Sequence, residues 1–143
     1  MTPEQIALVQ SSFASVGPRL PDLGAHFYRE LFTRDPALRA LFNTDLAEQQ
    51  IRFVEKLTEI VRAIPHLDEL LLHTRDLGAN HVGYGVRVAD YSTAGNVLLD
   101  TFAVVLGDEF DGPTREAWAL AYNLVAEIML EGAASTQGRR SAG

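Results

Sequence analysis

Hydrophobic residues return along this chain at three- and four-residue steps, the repeat of an α-helix that buries one face. Thr2, Pro3 and Gln5 form a helix start: a capping threonine, a proline suited to the first turn, and a glutamine that completes a capping box. The first helix is predicted to reach about Val16 and to stop at Gly17-Pro18, with Ile6, Val9 and Phe13 on its inner stripe and Leu8 off it. A second is predicted over about Leu20–Thr33, with Leu20, Leu23, Gly24, Phe27, Leu31 and Phe32 at helical steps. Gly24 stands out, because a mid-helix glycine costs about 1 kcal/mol against alanine. It is either a tolerated defect or the mark of a close helix crossing.

Asp35-Pro36 opens a short helical turn that ends near Leu41-Phe42. Asp45, with Glu48 three residues on, caps a longer helix ending before Pro65, whose inner face carries Leu46, Gln49, Phe53, Leu57, Ile60 and Ile64. The next helix is predicted through Leu67, Leu70, Leu71 and Leu77 to His81, after which Gly83 and Gly85 break the pattern. Two long helices follow: about Ala89–Leu106, stopped by Gly107, and Pro113–Glu131, stopped by Gly132. The last carries Trp118, Leu120, Tyr122, Val125, Ile128 and Met129. Residues 133–143 are mostly small and polar and read as a frayed, disordered tail. No segment alternates with period two, so no strand is predicted. The fold class is all-α: about seven helices in one domain over residues 1–132.

Composition narrows the chemistry. The chain has 143 residues, the size of one domain, and 47% are hydrophobic, enough for a sizeable core. It has no cysteine, which excludes disulfides, thiolate catalysis and cysteine-ligated iron. The net charge of −7 comes from mixed charges without a basic patch, so nucleic acid and anionic membranes are not expected partners. No apolar run approaches the length of a membrane span. The start of the chain does not read as a signal peptide, so a cytoplasmic location is the expectation. Phosphate loops and nucleophile elbows are absent. His66 and His73 lack the third ligand that a zinc site needs. His26 and His66 are expected on the solvent side, and Trp118, Phe102 and Phe110 in the core.

Three polar groups remain on apolar stripes. His81 shares the face of Leu77 and Leu70 and points inward. It is either a core histidine bonded to a backbone carbonyl or a ligand. Gln49 sits on an inner face one turn before Phe53, where an unbonded amide is costly. Tyr28, beside Phe27, can turn a hydroxyl inward. Together they suit a polar site inside an apolar cavity.

With these residues the sequence resembles a globin, and more narrowly a bacterial single-domain haemoglobin similar to the haem domain of flavohaemoglobins. The similarity runs from about Thr2 to Glu131. Asp35 through Phe42 resembles the family's short third helix, Leu77-Gly78-Ala79-Asn80-His81 the stretch with the proximal histidine, and Gly83 through Tyr91 the corner after it. The run Ala117-Trp118 to Ala121-Tyr122 is similar to the bacterial branch's last helix. Pro36, then Phe42 six residues later, then His81 after 39 more, is the strongest part of the match.

The resemblance implies a globin fold around a haem b pocket, with His81 as the iron ligand. Phe42 would lie flat on the porphyrin, and Tyr28 and Gln49 would form the distal pair. Phe53 would wall the distal pocket, and Leu77 would lie under the proximal face. Arg52 is placed either at a haem propionate or free in solvent. Tyr91 matches a tyrosine that orients the proximal histidine in flavohaemoglobin-like proteins. Ala133 stands where that branch often has a glutamate bonding this histidine and tyrosine. The implied ligands are dioxygen, nitric oxide and carbon monoxide. Donors at Tyr28 and Gln49 would slow oxygen release by about 10- to 100-fold.

Three functions follow: reversible oxygen binding for storage or transport; nitric oxide dioxygenase activity fed by a separate flavin reductase, since the sequence to Gly143 carries no flavin domain; and gas sensing. The resemblance is compatible with a monomer or a homodimer.

Overall fold

The first helix begins where its free amide groups are met by side chains. Thr2 Oγ1 accepts from the Gln5 N–H at 3.2 Å, and Gln5 Oε1 accepts from the Thr2 N–H at 2.8 Å. This predicted box opens α1, Pro3–Val16. The computed structural model describes residues 1–42, 45–66, 70, 71, 74, 77 and 88–142 (at 88 and 132–142 the backbone alone). After α1 come a 3-10 turn, Gly17–Arg19, then α2, Leu20–Arg34, and a 3-10 segment, Pro36–Leu41. Helix α3 spans Leu46–Ala63, and Asp45 caps it by accepting from the Ala47 N–H at 3.0 Å. Glu48 takes no part in that cap; it pairs with Arg52 one turn on. Helix α4 is Val88–Leu106, followed by the 3-10 turn Gly107–Glu109, and α5 is Gly112–Ala142. No strand occurs among the described residues, and no described helix is long and apolar enough to cross a membrane.

Two boundaries show what a glycine does and does not do. Gly107 ends α4 with φ +60, a backbone state that side chains disfavour. Gly132 does not stop α5, which continues to Ala142 and is about 46 Å long. Gly132 and Gly138 each cost only about 1 kcal/mol in a helix interior, and the alanine, glutamine and arginine residues around them are good helix formers. The helix expected through Leu67 to His81 lies largely outside the described residues. Of that stretch Leu70, Leu71, Thr74 and Leu77 are described; all are helical, and Leu70 and Thr74 are fully buried.

Helix α2 packs on α3 and α4, and α1 packs on α5. At the centre Phe102 is fully buried, with its ring 4.2 Å from that of Trp118 and 5.9 Å from that of Phe110. Trp118 Nε1 donates to Ser12 Oγ at 2.8 Å, which satisfies a buried indole that would otherwise be costly. Leu120 is 40% exposed, off the buried face formed by Ala117, Trp118, Ala121, Ile128 and Met129. Its step from Trp118 is two residues, which places it on another side of the helix. On the surface Asp100 of α4 accepts from Arg34 of α2 at 2.7 Å and from Arg115 of α5 at 2.9 Å. The two guanidiniums hold its carboxyl below the usual aspartate range.

Two glycines mark close crossings. A Cβ on Gly24 would stand 3.2 Å from Val54 Cγ2 and 3.3 Å from the Gln50 carbonyl oxygen, so α2 and α3 meet there backbone to backbone. Of the two readings of Gly24, the crossing is the one that holds. At Gly95 a Cβ would fall 2.5 Å from a ring carbon of Tyr122. Real Cβ atoms do not approach so closely, so α4 or the ring must shift. Gly95→Ala is therefore expected to destabilise the fold by about 1–3 kcal/mol, the usual cost of overpacking. Urea unfolding checks this, and an unchanged midpoint would mean that the Tyr122 ring has room to move.

Candidate functional site

Helix α2 presents Tyr28 inward from the turn after the Gly24 crossing. Its side chain is 3% exposed and is enclosed by other rings. Phe27 stands 5.2 Å away and Phe42 5.4 Å away, both edge-on to it. Phe53 lies at 5.6 Å and is itself stacked on Phe27 at 4.4 Å. These rings come from α2, α3 and the end of the Pro36–Leu41 segment, so three elements converge on one phenol. Edge-on packing suits the ring quadrupoles and holds each ring's position.

One polar neighbour enters this cluster. Gln49, one turn before Phe53 on α3, donates through Nε2 to the Tyr28 hydroxyl at 3.2 Å. Burial pushes the Tyr28 phenol up to about 12, and the Gln49 bond offsets this only in part. The phenol is therefore neutral at physiological pH. Its oxygen is already an acceptor, so its single proton remains to be donated. No acceptor for that proton stands among the described residues. The pair is a donor for which the described residues supply no acceptor.

The apolar residues around it are under-covered. Phe42, Phe53 and Leu77 pack against the core yet remain half-buried. Phe42 and Phe53 both touch Tyr28, so uncovered aromatic surface adjoins the free donor. A flat apolar group with a polar ligand on one face fits this arrangement, as a haem would. Arg52 lies on the outer side of α3, 56% exposed and paired with Glu48; it does not reach the ring cluster. His81, the proposed iron ligand, lies outside the described residues. His66 is exposed, as expected, while His26 is half-buried.

Tyr91 is buried near the start of α4, and burial raises its phenol. Its backbone carbonyl accepts from the Tyr122 hydroxyl of α5. The Tyr122 phenol is likewise raised, mainly by burial and then by Tyr91. The sequence marked Tyr122 only as part of a core stripe. The glycine at 95, inside a predicted helix like Gly24, lies opposite it, but a glycine alone does not reveal which side chain it faces. A surface groove between α1 and α3, lined by Phe13, Leu20, Val61 and Arg62, shares no residue with the site.

Comparison with known proteins places this arrangement. A family model described as Globin matches residues 25–129. The chain is 30% identical over 148 residues to neuroglobin-2 of Oncorhynchus mykiss, covering 92% of each. It is 26% identical over 134 residues to a flavohemoprotein of Vibrio cholerae, covering 92% of this chain and 34% of that protein. The chain thus spans about a third of the flavohemoprotein's length. Among solved structures it superposes on an engineered carbene transferase from Rhodothermus marinus with a TM-score of 0.89, at 23% identity and 99% coverage of both chains. A bacterial globin from Campylobacter jejuni gives 0.85, also at 23% identity, covering 96% of this chain and 99% of that one. The family match and the all-helical fold agree: the chain is a member of the globin family.

Proposed function

We propose that this globin binds haem b through His81 and takes up dioxygen reversibly beside Tyr28 and Gln49. The family implies the haem. The observation that carries the ligand reading is the Gln49–Tyr28 hydrogen bond, which leaves a neutral phenol, set among aromatic rings, with no acceptor for its proton among the described residues. Haem, when bound, supplies the iron centre at which a diatomic ligand and electrons are exchanged. The polypeptide does the rest. Phe42 and Phe53 cover the haem's apolar surface and keep water away. Gln49 fixes the rotation of the Tyr28 hydroxyl. Tyr28 donates to the ligand's partial negative charge, which favours retention over rapid delivery. Nitric oxide and carbon monoxide would enter the same cavity.

A second reading is nitric oxide dioxygenase activity, with electrons from a separate flavin reductase. The Vibrio cholerae relative named a flavohemoprotein, most of whose length lies beyond the match, supports it. Absorption spectra of the purified protein, taken ferric, ferrous and oxygenated, test the main reading. An intense Soret band that shifts with each state is expected; a folded but colourless protein that takes up no added haem would overturn it. Repeated consumption of nitric oxide by the oxygenated protein with a reductase would favour the second reading, and a single turnover would sink it.

A further inference from the structure

Arg39 is an exposed residue of the Pro36–Leu41 segment. In a chain of net charge −7, a surface guanidinium would ordinarily meet a carboxylate. Arg39 meets none among the described residues. Its Nη1 instead donates to the Phe42 carbonyl at 3.2 Å, and its Cζ stands 5.5 Å from the centre of the Phe32 ring. The backbone returns the bond: the Phe42 N–H donates to the Arg39 carbonyl at 3.2 Å. Both backbone polar groups of Phe42 are thus held by one residue. This occurs where the chain turns extended, at φ −110 and ψ 95, and where the carbonyl has no helical partner.

The contacts continue inward. The Phe32 ring meets the Phe42 ring edge-on at 5.5 Å, and the Phe42 ring meets Tyr28 edge-on at 5.4 Å. An unbroken series of contacts therefore runs from a surface cation to the buried phenol. We propose that Arg39 is a positioning residue for the distal pocket: it clamps Phe42 by backbone and ring, and so sets where Phe42 meets haem and Tyr28. This rests on the haem reading. A guanidinium suits the task because its planar fork can donate at its edge while its face lies on an aromatic ring. A lysine at 39 would keep the charge but not both contacts.

The test uses the full chain with Arg39→Met, which keeps the apolar stem, and Arg39→Lys, which keeps the cation. In the haem-free protein, amide exchange at Phe42 is expected to be about two- to fivefold faster in Arg39→Met, the range a single exposed cation–ring contact allows. In the haem-loaded protein, haem loss to an excess acceptor should accelerate by about the same factor. The C–O stretching band of the carbon monoxide form should broaden or split as Tyr28 loses a fixed neighbour. Arg39→Lys should fall between the two, and the melting temperature of all three should agree. Unchanged exchange and an unchanged C–O band in Arg39→Met would overturn the proposal. So would equal effects of both substitutions together with a lowered melting temperature. A wild-type protein that takes up no haem defeats the haem reading and with it the pocket role, while Phe42 exchange separately reads the clamp.

Discussion

Replacing Tyr28 with phenylalanine is expected to release dioxygen about 10- to 100-fold faster, the equivalent of one hydrogen bond to a charged acceptor. The substitution suits the site because phenylalanine keeps the ring. The contacts to Phe27, Phe42 and Phe53 survive, and only the hydroxyl is lost. Gln49 loses its acceptor at the same time. Its amide can then turn toward the ligand and recover part of the loss, which places the expected effect nearer the lower bound. In the wild type the rate should stay flat from about pH 6 to about pH 10, because burial keeps the phenol protonated up to about 12. Stopped-flow displacement of dioxygen by carbon monoxide measures both. An off-rate unmoved by Tyr28→Phe would remove Tyr28 from the ligand's surroundings, and a sharp acceleration near neutral pH would assign the donor to another group.

His81→Ala is expected to abolish stable haem retention. By its spacing in the sequence His81 shares a predicted inner face with Leu77 and Leu70, and Leu70 is fully buried. Phe42 and Phe53 would still offer apolar contact, so the variant is expected to take up haem weakly and to lose it on gel filtration. Imidazole in the buffer should restore a histidine-like spectrum by filling the space left behind. A variant that keeps haem with the wild-type spectrum would show that another residue holds the iron.

The legible parts of this molecule were local. Thr2, Pro3 and Gln5 specify a cap within four residues, and the structure forms it. Gly24 was legible as an anomaly, and Tyr28 and Gln49 as polar groups on apolar stripes; the structure brings this pair into hydrogen-bond contact. What the sequence hid depends on partners far along the chain. Gly95 means little until Tyr122 is known to lie across from it. Arg39 reads as an ordinary surface charge until the Phe32 ring and the Phe42 carbonyl are seen around it. Asp100 gives no hint that it joins Arg34 and Arg115, separated by 66 and 15 residues. Gly132 misled in the other direction. Gly107 ends its helix by turning left-handed, and composition does not reveal which glycine will make that turn.

The bond between Trp118 and Ser12 joins positions 106 residues apart, near the two ends of the globin domain. Trp118 is also the only tryptophan. Indole emission depends on the polarity around its nitrogen, and here that nitrogen is met by the first helix. The chain thus carries one indole fluorophore, seated where α1 meets α5. Its colour registers whether α1 has docked, and so distinguishes a closed domain from one in which the later helices have assembled alone.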